Sequence, residues 1–233
     1  IALVKPIAIR MFNLQGTSDE YFQEVEDKLT EETDYKLEIS QSMKVIEDCK
    51  KIENLLFPHY YPEYSSDKII TMDWMNGIHL SEFCSSNASQ EQRDKVGQTL
   101  WNFYMYQIHQ LKKFHADPHP GNFLVDKNDN LIAIDFGCMK EIPNDFYVPY
   151  FEVSTPESLK DMDYFTKKLF ELEILKTTDS PKELAFFTDM FHELLSVFTQ
   201  PIQSEVFDFA QPEFQSQIAA LSEKFASDKT LRK

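Results

Sequence analysis

The chain has 233 residues, of which 42% are hydrophobic, and a formal net charge of −16. This composition can bury a core and therefore excludes general disorder. The acidic balance argues against nucleic acid as a partner, because nucleic-acid-binding proteins present basic surfaces. Cys49, Cys84 and Cys138 have neither disulfide nor zinc-ligand spacing. The sequence predicts an acidic globular protein of a reducing compartment.

The first predicted elements are helical. Residues 19–56 carry apolar side chains at helical spacing, and residues 68–74 (KIITMDW) are β-rich and predict a strand. Ser89 and Gln92 have the spacing of a capping box, which predicts the start of a long helix.

The second half predicts a hairpin followed by helices. Residues 123–125 and 131–134 are short apolar runs on either side of the turn residues DKNDN. A helical pattern follows Pro143, and a last helix is predicted at residues 213–226. One helix of this half has an apolar stripe of Leu184, Phe187, Phe191, Leu194 and Phe198. This order of elements predicts an α+β fold with a mainly helical C-terminal part.

The segment from His115 to Gly137, HADPHPGNFLVDKNDNLIAIDFG, carries the residues of phosphate and metal chemistry. Asp117 and Asn122 have the H-x-D-x-x-x-x-N spacing of a kinase catalytic loop, and Asp135 opens the Asp-Phe-Gly tripeptide. Phosphoryl transfer needs a carboxylate near the attacking group and Mg²⁺ on the phosphates, and hard oxygen ligands suit that metal. We therefore predict that Asp117 is catalytic and that Asn122 and Asp135 bind Mg²⁺ and ATP. The alternative is a set of polar loop residues that cap turns.

This segment resembles two branches of the kinase-like superfamily. The UbiB-like (AarF-type) atypical kinases have a loop similar to ADPHPGN, whereas aminoglycoside and choline phosphotransferases have HGDLHPGN. The Ala116-Asp117-Pro118 sequence favours the first branch. Residues 32–38 (ETDYKLE) resemble the E-x-D-Y-x-x-E signature of the UbiB-like family, and a solvated acidic helix face is the alternative explanation.

The resemblance implies further site residues. Glu38 would pair with an ATP-binding lysine, and Glu32 and Asp34 would reach toward the nucleotide and restrain ordinary kinase activity. The strand predicted at residues 68–74 would be the hinge between two lobes. Adenine would then bond to backbone groups near Asp73 and Met75.

The resemblance also implies a protein-kinase-like, two-lobed fold. Residues 1–75 would form a partial N-lobe with the Glu38 helix and the hinge strand. Residues 76–233 would form a C-lobe with the catalytic loop, the Asp-Phe-Gly tripeptide and a helical tail. The family's nucleotide-covering loop and lysine-bearing strand are not found, and Lys5 is a weak candidate lysine beside Pro6. We therefore interpret the chain as partial, and expect it to fold but to turn over ATP poorly by itself.

The function implied is that of an atypical kinase or ATPase with ATP and Mg²⁺ as cofactors. The resembling family is associated with quinone and isoprenoid-lipid metabolism. We therefore expect a lipid or quinone precursor as a partner. We also expect a cytoplasmic location, with peripheral membrane association. Two alternatives are a small-molecule phosphotransferase and a nucleotide-binding pseudokinase that works as a scaffold.

Overall fold

The structure is a computed structural model that describes residues 34–227, without the side chains of residues 225–227. The chain divides into two compact units, Ile1–Ile142 and Pro143–Lys233. The lobe boundary predicted at residue 75 falls inside the first unit, and the division into lobes stays a prediction. The helical prediction for residues 19–33 lies outside the described residues.

Three helices of the first unit are described, and their starts follow from local capping. Helix α1 (Tyr35–Cys49) begins after Asp34, whose Oδ1 accepts a hydrogen bond from the Leu37 N–H at 3.1 Å. Helix α2 is Leu80–Ser85, and α3 is Gln90–Tyr106. The capping box predicted for α3 is confirmed, because Ser89 and Gln92 hydrogen-bond to each other's backbone N–H. A π-helix, Gln107–Leu111, continues from α3.

In the described part of the first unit, six short strands form two sheets. The strands are β1 (Leu55–Leu56), β2 (Ile78–His79), β3 (Lys113–His115), β4 (Phe123–Val125), β5 (Leu131–Ala133) and β6 (Met139–Glu141). The four-stranded sheet has the order β1-β5-β4-β2, with β1 parallel to β5 and the other pairs antiparallel. Strands β3 and β6 form a separate antiparallel pair.

The predicted hairpin is confirmed as β4 and β5, with Leu124 opposite Ile132. Its turn depends on Asp126, whose Oδ1 accepts hydrogen bonds from the N–H groups of Asn128 and Asn130, both at 2.8 Å. Asp129 adopts a positive φ of 60°, a conformation that Asp tolerates better than most residues. The turn residues therefore determine the hairpin locally.

The prediction of a strand at residues 68–74 is wrong. This segment forms a single isolated antiparallel bridge, between Tyr60 and Met72. Its apolar side chains are not packed in a sheet face, since Ile69 is 60% exposed and Trp74 is 88% exposed. A β-rich composition needs a neighbouring strand to form a ladder, and within residues 34–227 the segment has only this one bridge.

The core of the first unit packs α1, α3 and the central strands together. Its fully buried side chains include Cys49, Phe103, Leu131 and Phe136. The same cluster includes four residues of the hairpin strands, so the hairpin packs against this core. They are Phe123, Val125, Leu131 and Ala133. The loop residues that precede β4 and follow β5 are consequently held at the edge of a rigid core.

The second unit is helical. Its helices are α4 (Asn144–Val153), α5 (Met162–Glu171), α6 (Pro181–Phe198) and α7 (Pro212–Ser227). Most of the predicted stripe on α6 packs against the core formed by Val153, Phe165 and Leu169; Phe198, however, is 54% exposed. The small sheets and the helical majority agree with the predicted α+β class. Within residues 34–227, no helix combines the length and the apolar character needed to span a bilayer.

Candidate functional site

A cleft of about 620 Å³ opens in the first unit. It brings together three carboxylates that the sequence predicted to act together, those of Glu38, Asp117 and Asp135. The lining residues come from α1, from the segment after residue 67, and from both sides of the hairpin. They are Tyr35, Glu38, Lys68, Ile69, Ile70, His115, Asp117, Asp135, Gly137 and Cys138.

Asp117 is held by hydrogen bonds from its own loop. Its Oδ1 accepts from the His119 N–H at 3.2 Å, and its Oδ2 accepts from Asn122 Nδ2 at 3.1 Å. His119 Nδ1 accepts from the Gly121 N–H at 3.0 Å, so the structure gives His119 a structural role in the loop. A Cβ at residue 121 would lie 2.8 Å from His119 Nδ1, and glycine is therefore required for this close approach.

Asp135 is followed by a buried aromatic residue that fixes the backbone beside it. Its Oδ1 accepts from the Gly137 N–H at 2.9 Å. The neighbouring Phe136 is fully buried, with ring centroids 5.8 Å from Phe57 and 5.9 Å from His115. The backbone connects the two predicted metal ligands, because the Ile134 N–H donates to the carbonyl oxygen of Asn122 at 3.1 Å.

Glu38 faces the same part of the cleft as Asp135. A Cβ at residue 137 would lie 3.4 Å from Asp135 Oδ1 and 3.8 Å from Glu38 Cδ. Burial, and after it the negative charge of Asp135, raise the pKa of the Glu38 carboxyl above its usual value. In the part of the chain that the structure describes, no lysine or arginine forms an ion pair with Glu38. A cation bound here would relieve the repulsion between the two carboxylates.

His115 forms the buried wall of the cleft. The residue is 2% exposed, and neither ring nitrogen hydrogen-bonds to a described protein group. Burial lowers the pKa of the imidazole, against the opposing effect of Asp135 and Asp117. The ring packs edge-on against Phe136 and so forms part of the scaffold of the loop.

Other predicted site residues do not line this cleft. Asp34 caps α1, and Glu32 lies outside the described residues. The Asp73 N–H donates to the His59 carbonyl oxygen at 2.9 Å, and its carboxylate accepts from the Tyr61 hydroxyl at 2.9 Å. The nucleotide contacts assigned to Asp34, Glu32, Asp73 and Met75 stay predictions.

Sequence reasoning missed some of the lining residues. Lys68, Ile69 and Ile70 belong to the segment predicted as a hinge strand, but the structure places them at the cleft. They have no motif spacing relative to the catalytic loop, so only a predicted tertiary contact could have found them.

The donor set at this site suits magnesium. Among residues 34–227, no three or more His, Cys, Asp and Glu side chains are grouped as a metal cage. Mg²⁺ is usually held by one or two protein ligands, with phosphate oxygens and water completing an octahedron. The carboxylate of Asp135 and the side-chain oxygen of Asn122 match that requirement, since Asn122 uses its Nδ2 to bind Asp117.

The cleft thus contains the catalytic-loop and Asp-Phe-Gly residues that are typical of kinase-like proteins. The ABC1 atypical kinase-like domain matches residues 2–168, and the chain belongs to this family. It is similar to the chloroplastic protein ACTIVITY OF BC1 COMPLEX KINASE 7 of Arabidopsis thaliana, with 28% identity over 75% of this chain and 26% of the relative. It is also similar to the mitochondrial atypical kinase COQ8 of Saccharomyces cerevisiae, with 30% identity over 45% of this chain and 21% of the relative. The UbiB-like (AarF-type) resemblance is thereby confirmed.

A solved structure agrees on the fold. The structure of Rv3197 from Mycobacterium tuberculosis, a complex with erythromycin, superposes with a TM-score of 0.65 at 24% identity. The match covers 88% of this chain and 49% of Rv3197, and it supports the predicted kinase-like α+β fold. The chain spans about a quarter of the length of the curated relatives that it matches.

Proposed function

We propose that the chain binds ATP and Mg²⁺ in the cleft at Glu38, Asp117 and Asp135, as part of an atypical kinase or ATPase. The observation that supports this proposal is the convergence of these three carboxylates on one cleft of about 620 Å³. Glu38 is far from the other two in the sequence, so only the fold brings all three together. Membership of a kinase-like family favours this function over a small-molecule phosphotransferase.

Each residue has a defined task in this proposal. Asp135 and Asn122 would hold a magnesium ion, which would neutralise charge on the phosphates. Asp117 orients the attacking hydroxyl or water and accepts its proton. A bond forms between the attacking oxygen and the γ-phosphorus while the bond between that phosphorus and the bridging oxygen breaks, and the electron pair of the broken bond leaves with ADP. Glu38 binds a cation that orients the phosphates, as the resemblance implies for an ATP-binding lysine.

The cellular role in this proposal is the support of quinone or isoprenoid-lipid biosynthesis. The resemblance to the UbiB-like family and the similarity to the atypical kinase COQ8 support it. The same resemblance supports a lipid or quinone precursor as partner and peripheral association with a membrane.

One observation favours a nucleotide-binding scaffold as a second candidate. Glu38 has no lysine or arginine partner among residues 34–227, and phosphoryl transfer depends on positioned charges of this kind. A scaffold would bind ATP with magnesium but would not hydrolyse or transfer its γ-phosphate. Turnover by the full-length gene product separates the two functions.

The test is calorimetric titration of the full-length gene product with ATP, with and without magnesium. The proposal predicts binding that requires magnesium and that is lost in Asp135→Asn. Asp189→Asn is the matched control, since it makes the same chemical change at an exposed position on α6. Magnesium-dependent binding that is unchanged in Asp135→Asn would contradict the assignment of this site.

A further inference from the structure

A buried glutamine connects the end of helix α3 to the catalytic loop. Gln107 has no exposed surface, and its side chain makes two hydrogen bonds to the backbone. Its Oε1 accepts from the His115 N–H at 2.9 Å, and its Nε2 donates to the Phe103 carbonyl oxygen at 3.2 Å. Both polar ends of the amide are therefore satisfied inside the core.

The local backbone explains how residues 107 and 115 meet. Gln107 begins the π-helix Gln107–Leu111, and the Lys112 N–H donates to the Gln107 carbonyl oxygen. Lys112 then adopts a left-handed conformation with a φ of 52°. This one residue reverses the chain, so that β3 returns beside the end of the helix. A π-helix followed by such a reversal is a strained arrangement that persists only when its surroundings hold it.

Strand β3 is consequently fixed on both edges. On one edge it pairs with β6, with His115 opposite Met139, and the Ala116 N–H donates to the Cys138 carbonyl oxygen at 2.8 Å. On the other edge no further strand is paired with β3 within the described sheets. There the Gln107 side chain accepts from His115, two residues before Asp117.

We propose that Gln107 is a positioning residue for Asp117, and this inference rests on the proposed function. By accepting from the His115 N–H, the glutamine sets the point from which the catalytic loop departs. An apolar side chain of the same length would leave that N–H buried without an acceptor, which is costly. Because the rate of phosphoryl transfer depends on the placement of the reacting groups, a loosened loop slows turnover more than it weakens nucleotide binding.

The experiment compares four variants of the full-length gene product with the wild type. Gln107→Met removes both hydrogen bonds, and Gln107→Asn keeps the amide but is one methylene too short. Gln107→Glu keeps an oxygen that can accept from His115. Val96→Ala is the stability control, because Val96 is buried in the same core but lies on α3, distant in sequence from the loop and β3.

We expect Gln107→Met and Gln107→Asn to lower kcat for ATP about tenfold to a hundredfold, while KM for ATP changes by less than about threefold. Gln107→Glu should retain most of kcat, and the amide proton of His115 should exchange faster only in the Met and Asn variants. Wild-type kcat in both Gln107→Met and Gln107→Asn overturns the proposal. So does an equal fall of kcat in Val96→Ala.

The amide-exchange measurement separates failure of this inference from failure of the proposed function. If the wild type shows no ATP turnover, the proposed kinase or ATPase activity is contradicted, and exchange at His115 then decides the role of Gln107. Slow exchange in the wild type and Gln107→Glu, with fast exchange in Gln107→Asn, supports positioning of the loop. Equal exchange rates in these three proteins contradict it.

Discussion

The Nδ2 of Asn122 lies 3.1 Å from Oδ2 of Asp117 and 3.2 Å from the Asp117 carbonyl oxygen. One amide group thus orients the predicted catalytic carboxylate, while its oxygen remains suitable for a metal. We predict that Asn122→Ala lowers kcat for ATP by roughly a hundredfold, the typical effect of removing one well-placed polar contact at such a site. Steady-state hydrolysis by the full-length gene product, measured over a range of magnesium concentrations, checks this.

Asn102→Ala provides the matched control for this prediction. Asn102 is an exposed asparagine of α3, and its Oδ1 accepts from Gln98 at 2.8 Å. Its removal should leave kcat and the magnesium dependence unchanged. A similar kcat in Asn122→Ala and Asn102→Ala would contradict the role given to Asn122.

Asp34 can be tested for two different tasks. Its carboxylate caps α1 through the Leu37 N–H, and the family resemblance assigns it to the restraint of kinase activity. Asparagine is an equally good cap, so Asp34→Asn should keep the free energy of unfolding, whereas Asp34→Ala should lower it by about 1 kcal/mol. If the charge restrains phosphoryl transfer, Asp34→Asn also shifts the ratio of autophosphorylation to ATP hydrolysis.

Urea denaturation and radiolabelled ATP assays measure these two effects separately. An unchanged ratio in Asp34→Asn would limit this residue to helix capping. The double variant with Glu32→Gln extends the test to the second predicted residue, and no change there would favour a solvated acidic face.

The buried thiol of Cys49 predicts a dependence of stability on alkaline pH. Burial, and after it Asp48, raise the pKa of this thiol to about 12, above the unfolded value of about 8.5. A group whose folded pKa is raised stabilises the fold fully below the unfolded pKa, and this contribution is lost as the pH rises toward the folded pKa. The free energy of unfolding should therefore fall between pH 8.5 and 12, by at most about 1.4 kcal/mol per pH unit from this group.

Cys49→Ala checks that dependence. The variant is expected to be less stable than the wild type near pH 7 because it leaves a cavity. Its free energy of unfolding should fall less steeply above pH 8.5, as measured by denaturant unfolding at several pH values. Parallel curves for the two proteins would show that Cys49 does not cause the alkaline loss.

Features that depend on neighbouring residues in the chain were predictable. The hairpin of β4 and β5 follows from the turn residues because Asp126 bonds to Asn128 and Asn130. The start of α3 follows from Ser89 and Gln92 for the same reason. The spacing of the loop residues likewise predicted that Asp117 and Asp135 belong to one site, and both line the same cleft, while their roles stay predictions.

Features that depend on distant partners were not predictable. Strands of two or three residues, such as β1 and β3, are too short to show a period. The prediction of a hinge strand was wrong because the composition of residues 68–74 could not show that, among the described residues, they form only one isolated bridge. The role of Gln107 was not predictable because it depends on Lys112, whose left-handed conformation brings His115 back beside the Gln107 side chain.

The most direct test of the nucleotide site is protection of Cys138 from alkylation. This thiol lines the cleft beside Gly137 and is partly exposed, whereas Cys84 is exposed outside it and Cys49 is buried. With magnesium and ATP at about ten times the dissociation constant, the alkylation rate of Cys138 should fall about tenfold, since only unoccupied protein reacts. The rate at Cys84 should not change, and Asp135→Asn should lose the protection. Equal alkylation of Cys138 with and without bound magnesium and ATP would contradict the proposed site.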